Sequence, residues 1–227
     1  MTVEGDEAHH AVVVRRLRAG ESVMLTDGRG TSVVGLVAAT DKQSFELIVD
    51  GVDHHEQTDP SVTVVQALPK GDRGELAVEV LTEIGVDRVV PWAASRSVAV
   101  WRGDRADKAL TRWRATAREA AKQSRRCWFP EVTSLAATSD VRLLVAAAGL
   151  AVVLHEEASE SLSEIVVPDS GSIVVVVGPE GGLTDDEVRE LSDAGAHVVH
   201  LGSEILRTST AGVAAVAALL SRTSRWD

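Results

Sequence analysis

A chain of 227 residues and 24.0 kDa, 44% of them hydrophobic, is long enough to bury a core in one or two domains. Its longest apolar run, Leu143 to Leu154, falls short of the roughly 20 residues of a membrane span and is broken by Gly149, which excludes a membrane segment. The N-terminus lacks the blocks of a signal peptide, the single Cys127 excludes an internal disulfide, and both point to the cytoplasm; a net charge of −11 argues at face value against a polyanionic partner.

Up to about residue 58 the sequence reads as a small β-rich unit. DEAHHAVVVRRL predicts a short helix, and ESVMLTDGRGTSVVGLVA and SFELIVDGV give β-branched runs parted by the turn signals Asp27-Gly28 and Thr40-Asp41-Lys42. HHEQTDP has the composition of a linker, so two domains are expected, 1–58 and 59–227. Beyond it the pattern changes. SVTVVQAL predicts a strand, GELAVEVLTEIG an amphipathic helix stopped by Gly85, and DRVVPW another strand. A long helix follows near 104–125. Strands return at AVVLHE, SIVVVVG and HVVHLG, alternating with helices at TDDEVRELSDAG and STAGVAAVAALLS. Near-continuous apolar strands separated by helices imply an α/β domain whose parallel sheet is covered on both faces.

Charge is unevenly spread. Arg96 to Arg126 carries ten Lys and Arg against three acids, a local +7, whereas Glu131 to Asp227 carries fifteen acids against five Arg. On the long helix Ala106, Leu110, Trp113, Ala117, Ala120 and Ala121 share about a third of the circumference. The basic residues spread over the other side, as a solvated face or a nucleic-acid contact. With no Tyr and two Phe, base stacking is not the main device for such a contact; phosphate and shape are.

Three loops leave the carboxyl ends of the predicted strands, where ligands of open parallel sheets sit: LHEE, GPEGG and LGSEILRTSTAG. GPEGG does not match G-x-G-x-x-G, and no G-x-x-x-x-G-K-[ST] occurs. Thr184 and Glu187 form a capping-box pattern with Asp185 and Asp186 in the first turn, so a phosphate arriving there would meet Glu180, Asp185 and Asp186. Each like charge disfavours it by about 1 kcal/mol at surface dielectric. The loops suit a neutral or cationic ligand without phosphate. Metal chemistry has no support: His9-His10 and His54-His55 are adjacent pairs, and H-E-x-x-H and C-x-x-C are absent. Cys127, beside Arg125 and Arg126 but without an evident His partner, is read as inert.

ALPKGDRGELAVEVLTEIGVDRVVPW, REAAKQSRRCWFPEV, LHEE, VVVGPEGGLTDDEV and LGSEILRTSTA, in that order, resemble the 16S rRNA uridine N3-methyltransferases (RsmE) of the SPOUT superfamily. The resemblance runs from about residue 5 onward. It implies a PUA-like β-barrel before the α/β domain, a deep trefoil knot in that domain, a homodimer, and S-adenosylmethionine as methyl donor. The implied cofactor contacts are Leu154, His155, Gly178, Gly181, Gly182, Leu201, Gly202, Ile205, Leu206 and Thr210. Two positions depart from the family pattern L-G-x-R-I-L-R-x-E-T-A: Glu204 and Ser209 stand where Arg and Glu are usual. An aromatic-rich first barrel strand is also expected and lacking.

Transfer to uracil N3 requires loss of the N3 proton. Arg207 is the candidate for orienting the uracil or stabilising charge on its carbonyl oxygens; His155 and Glu180 are alternative proton acceptors, each with a purely structural role as the other possibility. The RNA contacts expected are Arg15, Arg16 and Arg18 in the first domain and Lys70, Arg112, Arg118, Lys122 and Arg125 in the second. Two other readings stay open: a non-catalytic RNA-binding ribosome assembly factor of the same fold, and an α/β enzyme acting on a small phosphate-free metabolite. AGVAAVAALL, Ala211 to Leu220, has no polar side chain, so its outer face must meet another helix or a second copy.

Overall fold

A computed structural model describes residues 1–226, which form two compact units, one of Met1–Gln57 and one from Thr58 onward. In the first, β1 (Thr2–Glu4), β2 (Ser22–Thr26), β3 (Thr31–Asp41) and β4 (Ser44–His54) make an antiparallel sheet in the order β1-β4-β3-β2. Helix α1 (Asp6–His9) runs on into a π-helical turn, His10–Val14, and its Ala8 packs with Val37, Phe45 and Leu47. The Asp27-Gly28 turn forms as its chemistry directs: Asp27 accepts from the amides of Arg29 at 2.7 Å and Thr31 at 3.0 Å, and Gly28 takes φ +70°. The sheet has a short edge strand that the sequence reading did not include. Thr2–Glu4 pairs with Ser44–Glu46, but three residues without an aromatic give no periodic signal.

The second unit is built on seven strands, all paired in parallel: β5 (Ser61–Ala67), β6 (Arg88–Trp92), β7 (Glu131–Val132), β8 (Leu150–Leu154), β9 (Glu160–Ser161), β10 (Ser172–Val177) and β11 (His197–His200). Their order is β7-β6-β5-β10-β8-β11-β9. Helices α2 (Arg73–Glu83), α3 (Asp104–Gln123), α4 (Thr138–Ala147), α5 (Asp185–Asp193) and α6 (Thr208–Leu220) cover it. The period-2 alternation divides the core cleanly. Val62, Val64, Val89, Val152, Ile173 and Val175 pack with Val78 and Leu81 of α2, Trp113 of α3 and Val216 of α6. Val65, Val90, Trp92, Val153, Val174 and Val176 face the other way, against Val141 and Val145 of α4 and Leu191 of α5.

The α2–α3 contact is close because Gly74 has no Cβ, which would stand 2.7 Å from the Trp113 ring. Trp101 meets Trp113 edge-on at 5.0 Å. At the amino ends of the strands Asp87 accepts from Arg225 at 2.8 Å and pairs with Arg126 at 3.5 Å. Burial lowers the Arg126 pKa, Asp87 opposes that, and Arg225 adds to it. Most of α6 is covered within the chain: Ala211, Gly212, Ala215, Val216, Leu219 and Leu220 are buried, and a strip of Val213, Ala214, Ala217 and Ala218 is left. Among the described residues no helix is long and apolar enough to cross a membrane.

Candidate active site

Because β10, β8 and β11 are neighbours, the loops leaving their carboxyl ends meet. Residues 154–157, 177–180, 182–183 and 199–208, with Arg73 and Ala211, line one cleft of about 590 Å³. This is where a parallel sheet offers unpaired backbone groups to a ligand.

Of the expected cofactor contacts, Leu154, His155, Gly178, Gly182, Leu201, Gly202, Ile205 and Leu206 line the cleft, and so do Glu180 and Arg207. Gly181 and Thr210 do not. A Cβ on Gly181 would press on the Arg96 Cβ and carbonyl, each 3.1 Å away, so this glycine serves the packing of the loop against its neighbour. The Thr210 hydroxyl donates back to the Arg207 carbonyl at 3.2 Å as part of the first turn of α6. Asp185 and Asp186 are also outside the lining. The acids of the cleft are Glu156, Glu157, Glu180 and Glu204.

The polar groups have defined partners. Glu180 accepts from the Lys70 amide at 3.1 Å and from Arg73 at 3.4 Å, tying the loop after β10 to the start of α2. His155 Nδ1 accepts from the Glu157 amide at 3.2 Å, so the neutral ring carries its proton on Nε2. The Thr208 hydroxyl donates to the Gly178 carbonyl and joins the second loop to the third. No ion pair or hydrogen bond among the described residues engages the Arg207 guanidinium, which is exposed at the cleft.

Below the loop the capping box forms as the sequence predicts. Thr184 Oγ1 accepts from the Glu187 amide at 3.2 Å and Glu187 accepts from the Thr184 amide at 2.9 Å. Glu187 is buried and also accepts from the Ser95 amide at 2.8 Å. Burial pushes its carboxyl up, but the donations from Ser95 and Thr184 together outweigh that and hold it below the ordinary carboxylate range.

The cationic side chains are less available than their number implies. Arg112 pairs with Glu75 at 3.3 Å and Lys122 with Glu119 at 2.9 Å; Arg114 donates to the Val132 carbonyl at 3.0 Å, and Arg126 belongs to the Asp87 cluster. Arg118 and Arg125 are exposed on and after α3, and Lys70 is exposed before α2. Arg102, Arg105 and Lys108 have no such partner among the described residues. Arg15, Arg16 and Arg18 are exposed in the first unit. Sequence reasoning overlooked Arg73, which PKGDR contains, and Glu156 and Thr208, which stand inside the quoted loops without being singled out.

Fold and cleft define a ligand-binding α/β protein with a separate antiparallel unit. Residues 56–220 match the family described as an RNA methyltransferase domain, and residues 3–50 match the RNA methyltransferase PUA domain. The ribosomal RNA small subunit methyltransferase E of Mycobacterium bovis is 47% identical, over 99% of this chain and 87% of that protein; its counterpart in Bacillus subtilis is 31% identical, over 98% and 90%. The crystal structure of a ribosomal RNA small subunit methyltransferase E from Neisseria gonorrhoeae bound to S-adenosyl methionine is similar, with a TM-score of 0.85 and 30% identity over 97% of this chain and 92% of that one. The chain belongs to the PUA-bearing RNA methyltransferases, and within them to the ribosomal RNA small subunit methyltransferase E family.

Proposed function

We propose that the protein methylates N3 of a uridine in the 16S rRNA of the small ribosomal subunit, with S-adenosylmethionine as the methyl donor. The cleft carries the reading: three neighbouring strand ends of a parallel sheet, lined by glycines, apolar side chains and glutamates, in a chain whose relatives are named for rRNA methylation. S-adenosylmethionine, when bound, supplies a methyl group on a sulfonium cation and carries no phosphate. Glu156, Glu157 and Glu204 suit a cation and disfavour a phosphate, while Glu180 is already paired with Arg73. Leu154, Leu201, Ile205 and Leu206 offer apolar walls, Gly182 and Gly202 leave room at the backbone, and Gly178, also in the lining, makes room for the Leu183 side chain. The bound ligand in the Neisseria relative supports the same assignment.

Arg207 orients the uracil and offers charge to its carbonyl oxygens, a role supported by its unengaged guanidinium. His155 serves as a hydrogen-bond donor through Nε2–H, because Nδ1 is already accepting. Glu180 holds the second loop through Lys70 and Arg73. The exposed cations of the first unit and of α3 contact rRNA phosphates. The strip on α6 is the homodimer face. The trefoil knot belongs to the same reading, supported by the family and by three loops gathered at adjacent strand ends. The cytoplasm is where the ribosomal substrate is found. Calorimetric titration with S-adenosylmethionine and with ATP tests the cleft: binding of the first and not the second is expected, and the opposite result overturns the reading.

A further inference from the structure

We infer that Arg96, which does not line the cleft, is a positioning residue for the cofactor loop after β10. The inference rests on the proposed reading of that cleft. Arg96 lies between β6 and α3, far in sequence from the loop. Its Nη1 donates to the carbonyls of Leu183 at 3.1 Å and Gly181 at 3.4 Å, the two residues flanking Gly182. Each carbonyl shares a rigid plane with the next amide, so holding those oxygens also fixes the N–H groups of Gly182 and Thr184. Between them Gly182 sits at φ +72°, with its amide donating to the Pro179 carbonyl at 2.9 Å. Gly182 and Leu183 both line the cleft. Arg96 therefore pins, from outside, the turn that shapes the wall of the site.

Two further contacts show that the segment before α3 is fitted to this loop. The absent Cβ of Gly181 leaves the space that the Arg96 Cβ and carbonyl approach, at 3.1 Å. One residue earlier, the Ser95 amide donates to the buried Glu187 carboxylate at 2.8 Å, below the same loop. Glu187 anchors the helical end and Arg96 the turn. Without Arg96 the glycine turn keeps its other bonds but loses the restraint on both peptide planes, and a bound cofactor must then order them. The result is weaker binding with an unchanged chemical step.

The test compares wild type, Arg96→Ala, Arg96→Lys and Gly181→Ala by calorimetry with S-adenosylmethionine and by steady-state methylation of small ribosomal subunits. Arg96→Ala is expected to weaken cofactor binding and raise the cofactor KM by about tenfold, the loss of both Nη1 donations being partly offset by solvent because Arg96 is exposed. Its kcat and its KM for the subunit should stay within about twofold of wild type. Arg96→Lys, which retains the charge and a donor, should recover part of the affinity; Gly181→Ala, pressing on Arg96 from the loop side, should show the same selective defect. Wild-type cofactor affinity in Arg96→Ala overturns the inference. So does a raised KM for the subunit with unchanged cofactor affinity, which would make Arg96 an RNA contact. If wild type itself fails to bind S-adenosylmethionine, the reading of the cleft falls and the inference with it.

Discussion

Gly182→Ala isolates the backbone requirement of the second loop. Gly182 adopts φ +72°, and an added Cβ would find nothing nearer than 3.9 Å, at Arg96 Nη1 and Glu156 Oε1. Space within the protein alone is therefore adequate, and before any cofactor is bound the cost is conformational. Placing an L-residue in the left-handed region costs roughly 1–2 kcal/mol, equivalent to a factor of roughly 5 to 30. If the turn keeps its shape, the cost appears in stability; if it relaxes, the cost appears in cofactor affinity. Relaxation should dominate, because the loop caps the sheet at an open cleft whereas the strands below are buried. Gly195→Ala is the control: it has φ +104°, open space around its Cβ and a position after α5 outside the cleft. Its strain should lower the melting temperature and leave affinity alone. Calorimetry and thermal unfolding on both variants separate the two effects, and a Gly182→Ala protein with wild-type stability and wild-type affinity would refute the reasoning.

On the basic surface, replacing Arg102, Arg105 and Lys108 with Ala should weaken subunit binding and reduce its salt slope by roughly 0.7–0.9 for each phosphate no longer neutralised. Replacing Arg112, Arg118 and Lys122 should do less, since Arg112 and Lys122 already have acidic partners; wild-type slopes in both variants would return the helix to a solvated surface. Sedimentation should give about twice 24.0 kDa for wild type. Ala217→Glu, on the uncovered strip, should yield a folded monomer, and an unchanged dimer would exclude that strip as the interface. Ala215→Glu should instead unfold the chain, because Ala215 is fully buried. Glu187→Gln tests the loop anchor through pH. A carboxyl held below its ordinary value of 4.5 contributes stability above that pH and loses it as pH falls through the lowered folded value. The gap in melting temperature between wild type and Glu187→Gln should be full at pH 7 and narrow below about pH 4.5; a gap independent of pH would contradict it.

Much of the fold and of the cleft is legible in the residues themselves. The valine strands, the capping box at Thr184 and the three glycine-bearing loops carry strong local signals, and the order of the loops along a parallel sheet brings them together. Helix α4 is not legible. Ala137 itself has no capping side chain, the start being held by Asp140, which accepts from the Ala137 amide at 2.9 Å, and the apolar end runs into β8 through LLVAAAGLAVVL with only Ala148 and Gly149 between them. Net charge misleads in a different way. Counting cations on and just after α3 cannot reveal that Glu75, Glu119 and the Val132 carbonyl engage three on the helix and Asp87 engages Arg126 beyond it, because these partners come from elsewhere in the fold or from the same helix face. For the same reason the acids nearest the glycine loop in sequence, Asp185 and Asp186, are outside the cleft, while Glu204, from a distant loop, lines it. The apolar circumference of α6 implies too large an interface, since α2 and the sheet cover more of it than one face.

The most direct test of the proposed activity is transfer of a labelled methyl group from S-adenosylmethionine to small ribosomal subunits that lack the modification, followed by digestion and nucleoside identification. Label is expected in N3-methyluridine from 16S rRNA, with incorporation strongly reduced by Arg207→Ala at unchanged cofactor affinity. Label in another nucleoside, or none from a protein that binds S-adenosylmethionine and the subunit, would contradict it.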